Sequence, residues 1–355
     1  FFDPCVGSAH ILCYAFDIFY KMYEEEGYNP SEIPELIITK NLYGIDIDER
    51  AAQLASFAVM MKGREYHRRF FRKQIVPNIT SFKNISTHPK FENAEILGSL
   101  IKVSKKEVEE IIVDESTLFG REQLQLKRQA TLLANKYDIV VTNPPYLNSA
   151  YMEKELKEYV DKEYKDTKSD LFACFLVQVS TFAKNEGLIG YICPYVWMFI
   201  KSYEWLRKHS ITNNTIASLI QLEYNAFGPA VVPICTFVLR NKSINDYSGS
   251  YIKLSDFKGV QNQRPKTLQA IENNNCGWYY LAVQKDFKKI PSYSISYWLS
   301  KHEINIFSNS ISLSQVGEPR QGMATTDNKK YLRVWHEIPN NSIEFNCTSH
   351  EDIKI

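Results

Sequence analysis

Up to Arg240, short apolar runs that end on small or acidic residues alternate with stretches of helical periodicity. The runs predict strands ending near Asp3, Asp46, Leu100, Thr142 and Pro194, with further strands at Ile216–Leu222 and Val231–Leu239. Between them the apolar spacing predicts helices over His10–Glu26, Glu49–Gly63, Leu171–Lys184 and Trp197–Lys208. This alternation implies an α/β fold, a mostly parallel sheet covered by helices. The excursion from Lys102 to Lys136 carries a charged helical stretch, Thr117–Asn135, expected outside the sheet. After Arg240 polar, Asn-rich loops appear, such as Glu272-Asn273-Asn274-Asn275.

The 355 residues suffice for one large α/β domain plus an appendage. The formal charge of +1 leaves no global basic signature, so any DNA-binding charge must be local. The seven cysteines are scattered, mostly in apolar runs, with no Cys-x-x-Cys. That fits free thiols in a reducing cytoplasm, and neither a disulfide framework nor a zinc site. The seven histidines have no Cys or carboxylate partner at ligand spacing, so no metal is expected. No apolar run is long enough to span a bilayer. The chain begins on Phe, inside a motif, and is expected to be part of something longer.

The densest chemistry lies at Asn143-Pro144-Pro145-Tyr146, directly after the strand Tyr137–Thr142. Asn143 supplies a carbonyl acceptor, and Pro144 keeps a backbone carbonyl while lacking only the N–H. Tyr146 offers a flat face for stacking. Together they can grip an exocyclic amine and aim its lone pair at an electrophile. An ordinary strand-to-loop turn is the alternative. At the N-terminus, Asp3-Pro4-Cys5-Val6-Gly7-Ser8-Ala9-His10 reads as a strand end, a small-residue turn and a helix start. Such a turn lets a cofactor approach the backbone. The acid ending the second strand, Asp46, sits where nucleotide-binding α/β folds hold a ribose diol. It lies about twice as far from the turn as the roughly 20 residues of a dinucleotide fingerprint. The long first helix and the Tyr28–Pro34 loop take up the difference.

In this order, the turn, the acid and Asn-Pro-Pro-Tyr resemble the DNA adenine-N6 methyltransferases that use S-adenosylmethionine. Asp3, Pro4, Gly7 and Ser8 match that family's turn; Cys5, Val6 and Ala9 depart from it, and Ala9 stands where Gly is usual. Ser169-Asp170-Leu171-Phe172-Ala173-Cys174-Phe175 and the Trp197-Met198-Phe199 stretch look most like the large methyltransferase of bacteriophage-exclusion (BREX) systems. Type IIG restriction–modification enzymes are near neighbours. The resemblance covers roughly residues 1–300. It implies a Rossmann-like methyltransferase fold, a mostly parallel seven-stranded sheet with an antiparallel terminal hairpin, truncated at the N-terminus. Residues 301–355 are expected to be a linker and the start of a target-recognition domain, opened by Gly317–Asn328, with Thr326 where Gly is usual; an ordinary hairpin loop is the alternative. With a wall of the methionine pocket missing, the cleft is expected open beside Phe1 and Ala9, and this stretch alone is expected to bind cofactor weakly and to be inactive.

The resemblance further implies double-stranded DNA as substrate, an adenine flipped out of the duplex, and partners from a phage-defence operon. Asn143, Pro144 and Tyr146 take the catalytic positions, with Tyr146 stacking on one face of the base. Phe227 is the candidate for the other face, a core Phe at a hairpin start being the alternative. Asp3, Gly7, Asp46, Ile47 and Ser99 are expected at the cofactor, Ser99 from a third strand and Ile47 on the cofactor adenine. Asp48 reads as a helix cap. The basic–aromatic stretch Arg64–Lys73 can touch phosphates or be a polar helix end. Tyr151–Lys168 can close over DNA or be a solvated helix. Two other functions stay open: methylation of a protein glutamine or an RNA guanine, and a DNA-binding scaffold of a defence complex with little turnover.

Overall fold

The computed structural model describes residues 1–117, 119–224, 226, 232–311, 313–317 and 327–343. Phe1–Ser308 form one compact unit and Asn309–Ile355 a second. Nine strands of the first unit form one sheet: β1 (Phe2–Asp3), β2 (Tyr43–Asp46), β3 (Asn78–Ser81), β4 (Tyr137–Thr142), β5 (Ala183–Pro194), β6 (Thr215–Gln221), β7 (Ile234–Arg240), β8 (Ser248–Lys253) and β9 (Tyr279–Val283). Their order is β3-β2-β1-β4-β5-β7-β6-β8-β9. β1 to β5 run parallel, and β7 lies antiparallel between β5 and β6. This is the expected seven-stranded arrangement. Two strands extend it: β8 parallel to β6, and β9 antiparallel on the edge.

The ends of the parallel strands decide what can meet. Asp3, Asp46, Ser81, Thr142 and Pro194 all come out at one end, and Asn78, Tyr43 and Tyr137 mark the other. The helix Leu171–Phe182 is apolar almost all round and is buried against this sheet. It stops two residues short of the expected end because Ala183 already begins β5. Asp48 does cap the helix Glu49–Tyr66, accepting from the N–H of Arg50 and Ala51. The helix Gly120–Ala134 buries Leu126, Ala130 and Leu133 in the main core.

Two expected elements are different in the structure. The third strand is Asn78–Ser81, not a run ending at Leu100. Its alternating polar residues hide it. The apolar stretch Ala94–Leu100 forms a helical turn and a 3-10 turn instead. The helix expected over Trp197–Lys208 starts only at Glu204, after two 3-10 turns. Trp197 is fully buried against Phe237, and the buried Arg207 guanidinium donates to the carbonyls of Trp197 and Ile200 at 2.6 and 2.8 Å. Those carbonyls are satisfied by a side chain instead of by helix N–H groups.

Candidate active site

Asp46 and Asn143 come from the ends of β2 and β4, two strands apart, because β1 lies between them. They line one cavity of about 530 Å³, together with Pro4, Ile47, Ser99 and Pro145. The turn before the first helix is bound to β2 twice. Val6 N–H donates to the Ile45 carbonyl at 3.1 Å, and Gly7 N–H to Asp46 Oδ2 at 2.8 Å. Gly7 is needed for its conformation, φ +50°, since a Cβ there would meet nothing. Ala9 also has positive φ, 64°, without being glycine. A left-handed Ala costs about 1–2 kcal/mol; burial of its methyl group returns roughly 0.8 kcal/mol.

Asp46 Oδ1 accepts from Asp48 N–H at 3.0 Å, so both oxygens are anchored and still have lone pairs for a ligand. Ile47 is 52 % exposed, an apolar face turned to the cavity. Gly98 (φ +53°) leaves it room: a Cβ there would stand 2.8 Å from Ile47 Cγ2. Ser99 lines the cavity from the 3-10 turn and not from a strand. Its hydroxyl donates to the Pro4 carbonyl at 2.6 Å, which makes it first a tie between that turn and the N-terminal one.

Asp3 lies beneath the turn, 1 % exposed. Its Oδ1 accepts from Cys5 N–H at 3.0 Å and from the Thr142 hydroxyl at 2.9 Å, while Oδ2 is buried with no partner among the described residues. Burial pushes this carboxyl up to about 7, against the pull of those two donors.

After Thr142 the chain turns through Asn143 to Tyr146. Asn143 is exposed and Pro144 buried. Asn143 Oδ1 accepts from the Tyr146 hydroxyl at 2.7 Å, which leaves its second lone pair open. The Tyr146 ring meets Phe172 edge-on, centroids 6.4 Å apart. Burial raises the Tyr146 hydroxyl well above its ordinary value, so it remains a donor. Sequence reasoning passed over what holds this turn. Asp170 Oδ1 accepts from Leu147 N–H at 3.2 Å and from Phe172 N–H at 3.3 Å. Leu171 N–H donates to the Leu147 carbonyl, and Ser149 N–H to the Ser169 carbonyl, both at 3.0 Å. The signal was there: Asp before an apolar run is a helix cap. Glu95, Tyr151 and Phe175, also on the cavity wall, had no comparable signal.

The 95–100 turns and residues from 151 to 156 line the cavity, and Phe1 and Ala9, where the opening was expected, do not. Ala9 is fully buried, and Phe1 packs on Phe19 at the other end of β1. Phe227 lies outside the described residues, as do residues 318–326 of the loop expected to open target recognition.

The model of the Eco57I restriction-modification methylases matches residues 40–227, more than half of the chain. The chain belongs to that family. Its Eco57I-family stretch takes in β2 to β6, with both Asp46 and Asn143. The adenine-specific methyltransferase PglX of Lacticaseibacillus casei (strain Zhang) is 33 % identical over 99 % of the chain, and the adenine-specific methyltransferase BrxX of Escherichia coli O9:H4 (strain HS) 30 % over 96 %. The chain spans about a third of the length of these curated relatives, 33 % of each. Its fold is that of a nuclease-deletion mutant of the Type ISP restriction-modification enzyme LlaGI, solved in complex with a DNA substrate mimic. The TM-score is 0.55 at 13 % identity, over 86 % of this chain and 25 % of that one. Among the described residues no group of His, Cys, Asp and Glu could hold a metal ion, and no helix is long and apolar enough to cross a membrane.

Proposed function

We propose that this chain is the catalytic region of an adenine-N6 DNA methyltransferase that uses S-adenosylmethionine, within a phage-exclusion or restriction–modification system. The observation that carries this reading is the single cavity shared by Asp46 and Ile47 on one side and Asn143 on the other. The residues fit the cofactor. Asp46 offers acceptors to a ribose diol, Ile47 an apolar face to a purine, and the unpartnered Asp3 Oδ2 a buried acceptor suited to an ammonium group. Gly7 belongs to the same arrangement through its hydrogen bond to Asp46. Ser99 contributes by holding the turn that bears the Pro4 wall.

When bound, S-adenosylmethionine supplies an electrophilic methyl group on a sulfonium sulfur. The chain's part is to present the amine. An adenine amine is a poor nucleophile because its lone pair is delocalised into the ring. Asn143 Oδ1 and the Pro144 carbonyl, each accepting one N6 hydrogen, hold that lone pair out of conjugation and stabilise the positive charge that develops on nitrogen. The Tyr146 hydroxyl keeps the Asn143 amide turned with its oxygen forward, and the Tyr146 ring stacks on the base. The base reaches the cavity only by leaving the duplex. Residues 301–355 open the target-recognition region in this reading, and proteins of the same defence operon are its partners.

In the full-length protein Asn143→Ala is expected to abolish N6-methyladenine in host DNA, read by modification-sensitive sequencing, and to leave S-adenosylmethionine affinity within a few-fold by calorimetry. A comparable loss of cofactor affinity would place Asn143 on the wrong ligand.

A further inference from the structure

Two basic stretches of this chain compete for contact with a phosphate backbone, and the sheet separates them. Arg64–Lys73 begins in the last turn of the helix Glu49–Tyr66, which starts at the catalytic end of β2 and runs back to the opposite end, where β3 begins at Asn78. The second stretch, Lys253–Lys266, leaves β8 at the catalytic end. Lys253 is in register with Gln221, Gln221 with Cys235, and Cys193 with Cys235, one residue before β5 ends at Pro194. Within it stand Lys253, Lys258, Arg264 and Lys266 against a single acid, Asp256, on a chain whose total charge is +1. Lys258 and Arg264 are exposed and have no carboxylate partner among the described residues. The other two are held by rings: Lys266 Nζ lies 5.0 Å from the Phe257 centroid and 4.8 Å from that of Trp278, and Lys253 Nζ lies 5.0 Å from Trp298.

The segment is tied to the target side of the sheet. Glu223 N–H donates to Gln263 Oε1 at 3.1 Å, and Gln263 Nε2 donates to the Phe257 carbonyl at 2.7 Å. From β4, which ends just before Asn143, to β8 is four steps in the order β4-β5-β7-β6-β8. At the usual strand spacing that is roughly 19 Å along the sheet edge. With one phosphate per strand every 3.4 Å or so of duplex axis, the offset corresponds to about 5–6 base pairs.

We propose that the Lys253–Lys266 segment, the connection added by β8 and β9, is a second DNA-contacting surface of the catalytic unit, gripping the phosphates of duplex DNA about half a helical turn from the flipped base. It rests on the adenine-methyltransferase reading for the position of that base. The exposed Gln261 adds a neutral donor to the same segment. The contact is to backbone and carries no sequence information of its own.

The test is a salt titration of binding by the full-length protein to a mixed-sequence duplex of about three helical turns. Lys258→Ala/Arg264→Ala is expected to weaken binding on the order of tenfold and to flatten the slope of log affinity against log salt by about 1.8, or 0.9 per phosphate lost. S-adenosylmethionine affinity and the melting temperature are expected unchanged, since both side chains are exposed. Arg68→Ala/Arg69→Ala, at the opposite end of the sheet, is expected to leave affinity and slope as in the wild type. An unchanged slope in the first variant, or an equal drop in both, overturns the proposal. Adenine methylation by the wild type is scored separately. If it is absent while the first variant still loses affinity, the enzymatic reading fails and the DNA surface stands. If it is present and the first variant binds normally, the surface fails and the enzymatic reading stands.

Discussion

Asp46 has two tasks, and a substitution separates them. Its carboxylate ties the Gly7 N–H to β2 and also faces the cavity. Asp46→Ala removes both; charge-assisted hydrogen bonds are typically worth about 1.5–3 kcal/mol each, so S-adenosylmethionine affinity is expected to fall roughly ten- to a hundredfold or more by calorimetry. Asp46→Asn keeps an acceptor for Gly7 and is expected to lose less; a loss equal to that of the alanine variant would mean that the charge offered to the ribose is what Asp46 supplies, and no loss at all would mean that the turn, and not the ribose, is what it serves. Asp3 adds a pH dependence. Its carboxyl is raised to about 7 in the folded protein, so the fold keeps a proton that the unfolded chain releases from about pH 4 upward. The stability this group contributes is present below the unfolded value and is lost as pH rises through about 7. A ligand ammonium on Asp3 Oδ2 prefers the carboxylate, so cofactor affinity is expected to rise over the same window and level off above it. Asp3→Asn is expected to flatten both curves. Titrations at several pH values check this, and a wild-type affinity that ignores pH would remove Asp3 from the cofactor.

Among the elements, the pairing of the loop after Tyr146 with the start of the Leu171–Phe182 helix decides how precisely the amine is held. The loop holds a single 3-10 turn there, Ser149–Tyr151, capped by Asn148. Its order comes from Asp170 and the backbone hydrogen bonds around it. Asp170→Ala is expected to lower the methylation rate constant on the order of 10²-fold, the scale of an ångström-sized misplacement, while cofactor affinity stays near wild type. Asp170→Asn, which keeps an oxygen acceptor, is expected to recover most of the rate; a variant as slow as the alanine one would show that the charge, and not the clamp, matters. Elements of strong local pattern were legible beforehand: the apolar helix at 171–182, the Asp48 cap and the strand before Asn143. The buried Arg207 shows why the helix before it was not. It donates to Trp197, Ile200 and Ser292, the last 85 residues away, and no local period announces such a partner.

At the scale of the whole molecule, one twisted sheet decides what belongs together. Residues 3, 46 and 143 fall at one end because three parallel strands end there, and the parallel order of those strands was readable from alternation and turn chemistry. The resemblance to the adenine methyltransferases placed Asp46 and Ile47 at the cofactor and Asn143 at the target base, and the three share a cavity. The sequence could not reveal β3, whose four residues carry no apolar run, nor place Ser99 correctly, since Ala94–Leu100 has strand-like composition but makes turns. Nor could it tell which end of the sheet the basic stretch Arg64–Lys73 occupies, or single out Lys253–Lys266 at the other end. Strand and helix periods, caps and turns are written within a few residues and depend on local sterics and hydrogen bonding. Which end of a sheet a segment occupies, and which buried oxygen is left without a partner, depends on register between strands far apart in the chain, and only the packed structure decides that.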